Sequence, residues 1–121
     1  MDKKILVIED DPPNLRLIKY TLQADGYQVL TAANGLEGIK KAQEEEPDLI
    51  VLDIKLPGID GYEVCHRLRA DPKTARLPIL MLSGKAREID RDTGLKVGAD
   101  DYITKPWQKG ELVTKIAAML E

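Results

Sequence analysis

The chain has 121 residues, and 18 Lys+Arg against 21 Asp+Glu leave a formal net charge of −3. Hydrophobic residues make up 43% and charged residues 32%, a balance that excludes wholesale disorder and fits one domain with a core of its own over residues 1–121. The mild acidic excess argues against direct nucleic-acid binding and against an anionic membrane surface. One cysteine, Cys65, excludes an internal disulfide framework and a multi-Cys zinc site. No apolar run approaches the ~20 residues of a membrane span. Met1-Asp2-Lys3-Lys4 leads directly into an apolar stretch with no small-residue cleavage site, so no signal peptide is read and a cytoplasmic setting is expected.

Five short apolar runs are the predicted strands, in order Ile5–Ile8, Tyr27–Leu30, Leu49–Leu52, Ile79–Leu82 and Tyr102–Thr104. Three of them are apolar at all four positions, which suits strands buried on both faces of a parallel sheet. Helical stripes lie between and after them. Leu15, Ile18 and Leu22 make the first, and Leu36, Ile39 and Ala42 the second. Val64, Cys65 and Leu68 make the third. Leu112, Ile116 and Met119 make the last, with Val113 and Leu120 beside it. The segment from Arg87 to Val97 has a weaker pattern, Ile89 and Val97 interrupted by Thr93 and Gly94, and reads as a movable helix.

Caps agree with these bounds. Asp11 precedes Pro12, a favoured first helical residue, while Asn34 with Glu37 and Asp60 with Glu63 have the cap-plus-three acid spacing. Gly26 and Gly98 fall where helices should stop. The run Glu44-Glu45-Glu46 reads as the solvated end of a helix before Pro47. The order is β-α repeated five times, an α/β doubly wound (βα)5 architecture with a parallel five-stranded sheet between helix layers.

In such a sheet ligands bind outside the carboxyl ends of the strands. Glu9, Asp10 and Asp11 follow the first run, Asp53 the third, Ser83 the fourth and Lys105 the fifth. Taken singly, Asp11 is a helix cap, Ser83 a turn former and Lys105 a surface charge. Taken together they gather at one edge. Clustered carboxylates call for a cation, and hard oxygen ligands without His or Cys point to Mg²⁺. One carboxylate can then act as nucleophile on phosphorus, with Lys105 neutralising the phosphoryl charge and Ser83 donating to one of its oxygens.

These residues carry a family resemblance. The stretches Ile5–Asp11, Asp53–Gly61, Leu82-Ser83-Gly84 and Gly98–Pro106 resemble the receiver domain of two-component response regulators (the CheY-like superfamily), with coverage from about Lys4 to Leu120. The resemblance implies a flavodoxin-like three-layer sandwich with strand order 2-1-3-4-5. It implies Asp53 as phosphoacceptor, taking its phosphoryl group from a sensor histidine kinase or a histidine phosphotransfer protein. It implies Glu9, Asp10, Asp53 and the backbone carbonyl of Lys55 as the Mg²⁺ ligands, and Ser83 and Lys105 as the phosphoryl-binding catalytic pair. Tyr102 becomes the switch aromatic that follows Ser83, and the Lys105-Pro106 bond is expected to be cis.

Phosphorylation adds about −1.5 to −2 charges at one point. That charge is expected to draw Ser83 and Lys105 inward and to move the segment 87–97, with Tyr102 filling the vacated space. The implied readout face is that segment, the fifth strand and the last helix, acting on a downstream protein or effector domain. A homodimer through the same face is consistent with Arg87, Arg91 and Lys96 beside Asp100 and Asp101.

Lys55 and Lys85, two residues after Asp53 and Ser83, depart from the common pattern and are candidate tuners of phosphoryl lifetime; the alternative is that both are solvated lysines. Trp107 is a candidate fluorescence reporter of the site. His66 and Cys65 lie in the third helix and are read as non-catalytic. A small-molecule aspartyl-phosphate hydrolase needs a second acid/base carboxylate near the nucleophile, where this chain has Lys55. The sequence read ends one residue past the inferred last helix, and a stand-alone receiver and a receiver excised from a larger regulator are both open.

Overall fold

The computed structural model describes residues 2–84 and 96–121. Its five strands are β1 (Lys4–Ile8), β2 (Gln28–Ala32), β3 (Leu49–Asp53), β4 (Ile79–Ser83) and β5 (Asp101–Thr104). The helices bounded within the described residues are α1 (Pro12–Ala24), α2 (Gly35–Glu45), α3 (Gly61–Ala70) and, in this numbering, α4 (Lys109–Met119). Residues 96–97 are helical, while the rest of the segment expected as a movable helix, with Lys85, Arg87 and Arg91, lies outside the described residues. The sheet is parallel throughout with order β2-β1-β3-β4-β5.

Period-2 alternation sends each inner strand's apolar side chains to two separate cores. On one face Leu6, Ile8, Ile50, Leu52, Ile79 and Met81 pack with Ala42 of α2 and with Val64, Cys65 and Leu68 of α3. On the other Ile5, Val7, Leu49, Val51, Leu80, Leu82 and Ile103 pack with Ile18 and Leu22 of α1 and Leu112 and Ile116 of α4. β1, β3 and β4 are buried on both faces, which is why they carry uninterrupted apolar runs.

The caps form as their spacing implies. Asp11, Asn34 and Asp60 accept from the backbone N–H of Asn14, Glu37 and Glu63, at 3.1, 2.9 and 2.9 Å. Gly26, at φ 93°, stops α1 and donates its N–H to Gln23 O at 3.0 Å.

Two local expectations are corrected. Leu36 is 62% exposed and does not belong to the inward stripe of α2. The inward positions are Gly35, Gly38 and Ala42. The helix backbone lies so near the sheet that a Cβ on Gly38 would stand 2.4 Å from Ile8 Cδ1, so glycines occupy the places a leucine would need. β2 begins one residue later than its apolar run and ends two later, because the Tyr27 N–H is taken by Leu22 O in the turn out of α1.

Candidate functional site

Parallel strands place their carboxyl ends on one edge. β1 delivers Glu9 and Asp10 there, β3 ends on Asp53, β4 ends on Ser83, and Lys105 follows β5. The strand ends also hold one another: Glu9 N–H donates to Ala32 O at 3.0 Å and Lys105 N–H to Ser83 O at 2.6 Å. The Lys105-Pro106 bond is cis, as the resemblance implies.

Asp53 is 4% exposed and Glu9 is fully buried, while Asp10 is exposed at the rim. One carboxylate oxygen from each of the three can be chosen so that all lie within 4.8 Å of one another. Lys105 Nζ lies 3.1 Å from Asp53 Oδ2 and 3.5 Å from Glu9 Oε1. Neither Glu9 oxygen accepts a hydrogen bond. Burial pushes the Glu9 carboxyl up to about 8, the adjacent Asp53 carboxylate adds to the rise, and Lys105 and Asn14 offset only part of it. A buried carboxyl with no hydrogen bond and only Lys105 at 3.5 Å to offset it, beside two more carboxyls, is short of positive charge. The donor set is all hard oxygen and fits a small divalent cation.

The remaining candidates fall as follows. Lys55 is exposed on the turn after β3, with its backbone N–H 3.4 Å from Asp53 Oδ1. It lines a cavity of about 430 Å³ with Asp10, Pro57 and Asp60. Ser83 is 2% exposed and pairs in register with Thr104 across β4 and β5. Tyr102 is half-buried and packs on the core that α2 and α3 cover. Lys85 lies outside the described residues. His66 is exposed on α3, in a surface hollow with Asp60, Tyr62 and Glu63, away from the acidic cluster. Cys65 is buried in the core, where desolvation raises its thiol to about 11.

Asn14 was not a candidate from the sequence. It lines a cavity of about 450 Å³ with Leu17, Ile18, Gly84, Lys105, Pro106 and Trp107, and it bears on Glu9. Its place three residues after the cap Asp11 sets it in the first turn of α1, over the same edge, and that spacing is the signal that could have found it.

No helix among the described residues is long and apolar enough to cross a membrane. The chain is 48% identical over 120 residues to the alkaline phosphatase synthesis transcriptional regulatory protein PhoP of Bacillus subtilis, covering 99% of this chain and 49% of that protein. It thus spans about half the length of the curated relatives it matches. Its structure is similar to that of a response regulator from Chloroflexus aurantiacus, with TM-score 0.96, 36% identity, and 99% and 98% of the two chains covered. It is also similar to the receiver domain of the sensor histidine kinase PA1611 from Pseudomonas aeruginosa, described with a magnesium ion coordinated in its active site cleft. There the TM-score is 0.92, identity 32% and coverage 99% and 98%. Residues 5–117 match the response regulator receiver domain model, and the chain belongs to that family of two-component signalling domains.

Proposed function

We propose that residues 1–121 are a single receiver domain in which Asp53 accepts a phosphoryl group from the phosphohistidine of a sensor histidine kinase or phosphotransfer protein. The observation that carries this is the pairing of a nearly buried Asp53 with Lys105 at 3.1 Å, beside the donor-starved Glu9.

Glu9, Asp10, Asp53 and the Lys55 carbonyl would hold Mg²⁺. When bound, the ion supplies the positive charge that lets a phosphoryl group approach clustered carboxylates. Asp53 contributes the nucleophilic oxygen. A P–O bond to that oxygen forms as the P–N bond of the donor breaks, and the electron pair leaves on the donor imidazole. Lys105 then exchanges its carboxylate partner for a phosphoryl oxygen, and the Ser83 hydroxyl donates to another. Tyr102 follows Ser83 and transmits the change to the face formed by β5 and α4. There a downstream protein, an effector domain or a second copy of the chain would read it. The Lys115–Asp101 ion pair, at 3.2 Å, sits on that face. The domain catalyses its own phosphoryl transfer and dephosphorylation only, acts in the cytoplasm, and contacts neither nucleic acid nor membrane itself.

Phosphotransfer profiling against a panel of purified, phosphorylated kinases tests the reading. One donor is expected to lose its label to this chain within minutes, and to keep it against Asp53→Asn. Equal loss of label to the variant would refute the assignment.

A further inference from the structure

The guanidinium of Arg69, in the last turn of α3, is the centre of a network outside the site. Its Nε donates to Gly98 O at 2.9 Å, and its Nη1 donates to Ala75 O and Leu77 O at 3.1 and 2.6 Å. Its Nη2 meets Asp100 Oδ2 at 2.8 Å. The same Asp100 oxygen accepts from the N–H of Ile79, the first residue of β4, at 2.8 Å. Asp100 N–H returns a bond to Ile79 O at 2.9 Å. Gly98 runs at φ 112°, and a Cβ there would stand 2.8 Å from Arg69 Cγ. One side chain thus holds together the end of α3, the approach to β4 and the approach to β5.

The other end of the same helix is tied to Asp53. Gly61 N–H donates to Ile54 O at 2.8 Å, and a Cβ on Gly61 would lie 2.4 Å from the Asp53 carbonyl oxygen. Helix α3 has ten residues, so it spans about 15 Å between these anchorages. It is packed by Val64, Cys65 and Leu68, all fully buried. A short, packed helix pinned at both ends transmits displacement rather than absorbing it.

From this we infer that Arg69 is a positioning residue. It makes α3 a strut that couples the backbone of Asp53 to the amino end of β5, the strand bearing Tyr102 and leading to Lys105. The coupling rests on Asp53 being the phosphoacceptor, and it is separate from the route through Ser83. Four hydrogen bonds from one planar fork give it a defined geometry that a lysine would not reproduce.

The test is backbone hydrogen exchange on the whole chain with Mg²⁺, with and without beryllofluoride, for the wild type, Arg69→Met and Arg69→Lys. The readout is the beryllofluoride-dependent ratio of rates at residues 98–102, which a general loss of stability alone does not set. The wild type is expected to change about threefold or more there, and both variants to fall below about 1.5-fold. Thr104, Lys105 and Trp107, on the Ser83 side, keep their response in the variants. Arg69→Lys keeps the charge and the aliphatic stem but not the four-bond fork, and serves if Arg69→Met does not fold. An unchanged ratio in a folded variant, or no wild-type change at 98–102, overturns the strut. Loss of every beryllofluoride effect in the wild type instead overturns Asp53 as acceptor.

Discussion

Lys105 Nζ and Asp53 Oδ2 lie 3.1 Å apart although 52 residues separate them in the chain. Each stands at the end of a parallel strand, and the intervening β4 places them across the sheet edge. If Asp53 is the phosphoacceptor proposed above, the ammonium stands where positive charge would be needed. Lys105→Met is therefore expected to slow labelling by acetyl phosphate on the order of 10²-fold while leaving the fold intact. Initial rates with radiolabelled donor check this, and a rate within about twofold of wild type would remove Lys105 from the chemistry.

Glu9 gives the metal-free protein a pH dependence with a definite sign. Its folded carboxyl is raised from 4.5 to about 8, so the stability it contributes is fully present below 4.5 and is lost as pH rises through about 8. In a chelator, the wild type should lose thermal stability between about pH 5 and pH 8.5, and Glu9→Gln should lose less. Adding Mg²⁺ at the upper pH should restore the wild type and not the variant. Calorimetric scans that run parallel for the two proteins would contradict this.

Trp107 shares a cavity with Lys105 and packs against the α1–α4 core. Its emission is expected to change on titration with Mg²⁺, and Glu9→Gln should abolish the change. An identical response in both proteins would place the metal elsewhere.

Gly38 faces Ile8 so closely that a Cβ would lie 2.4 Å from Cδ1 and 2.7 Å from Cγ1. Gly38→Ala should lower unfolding stability by about 1–3 kcal/mol, since overpacking here outweighs the helix-propensity gain of about 1 kcal/mol. The midpoint of urea unfolding should fall with its slope unchanged. A raised midpoint would show that Ile8 yields freely.

Lys55→Ala is expected to change the dephosphorylation half-time, because Lys55 is exposed at the mouth that Asp10 and Asp60 also line. A half-time equal to wild type would leave Lys55 as a solvated lysine. The same comparison applies to Lys85, which lies outside the described residues.

The gathering of Glu9, Asp10, Asp53, Ser83 and Lys105 at one edge was legible from the chain because each lies within two residues of the end of an apolar run, and a parallel sheet collects such positions on one edge. The inner strands were equally plain, being buried on both faces. Leu36 misled because apolar spacing does not reveal how closely a helix approaches its sheet; Gly35 and Gly38 carried that information. β2 was misplaced because it is an edge strand, half-buried for most of its length, with a weaker pattern. Asn14 and Arg69 were missed, and Asp100 was read as part of a charged dimer face rather than as the partner of Arg69, because a polar side chain's partners depend on tertiary distance, which no local period encodes.

Intact-mass measurement after incubation with acetyl phosphate and Mg²⁺ probes the acceptor most directly. One phosphoryl group per wild-type chain is expected, removed by chelation before the donor is added and absent from Asp53→Asn. A full phosphoryl adduct on Asp53→Asn, or wild-type labelling indifferent to the chelator, would contradict the assignment of Asp53 and its acidic neighbours.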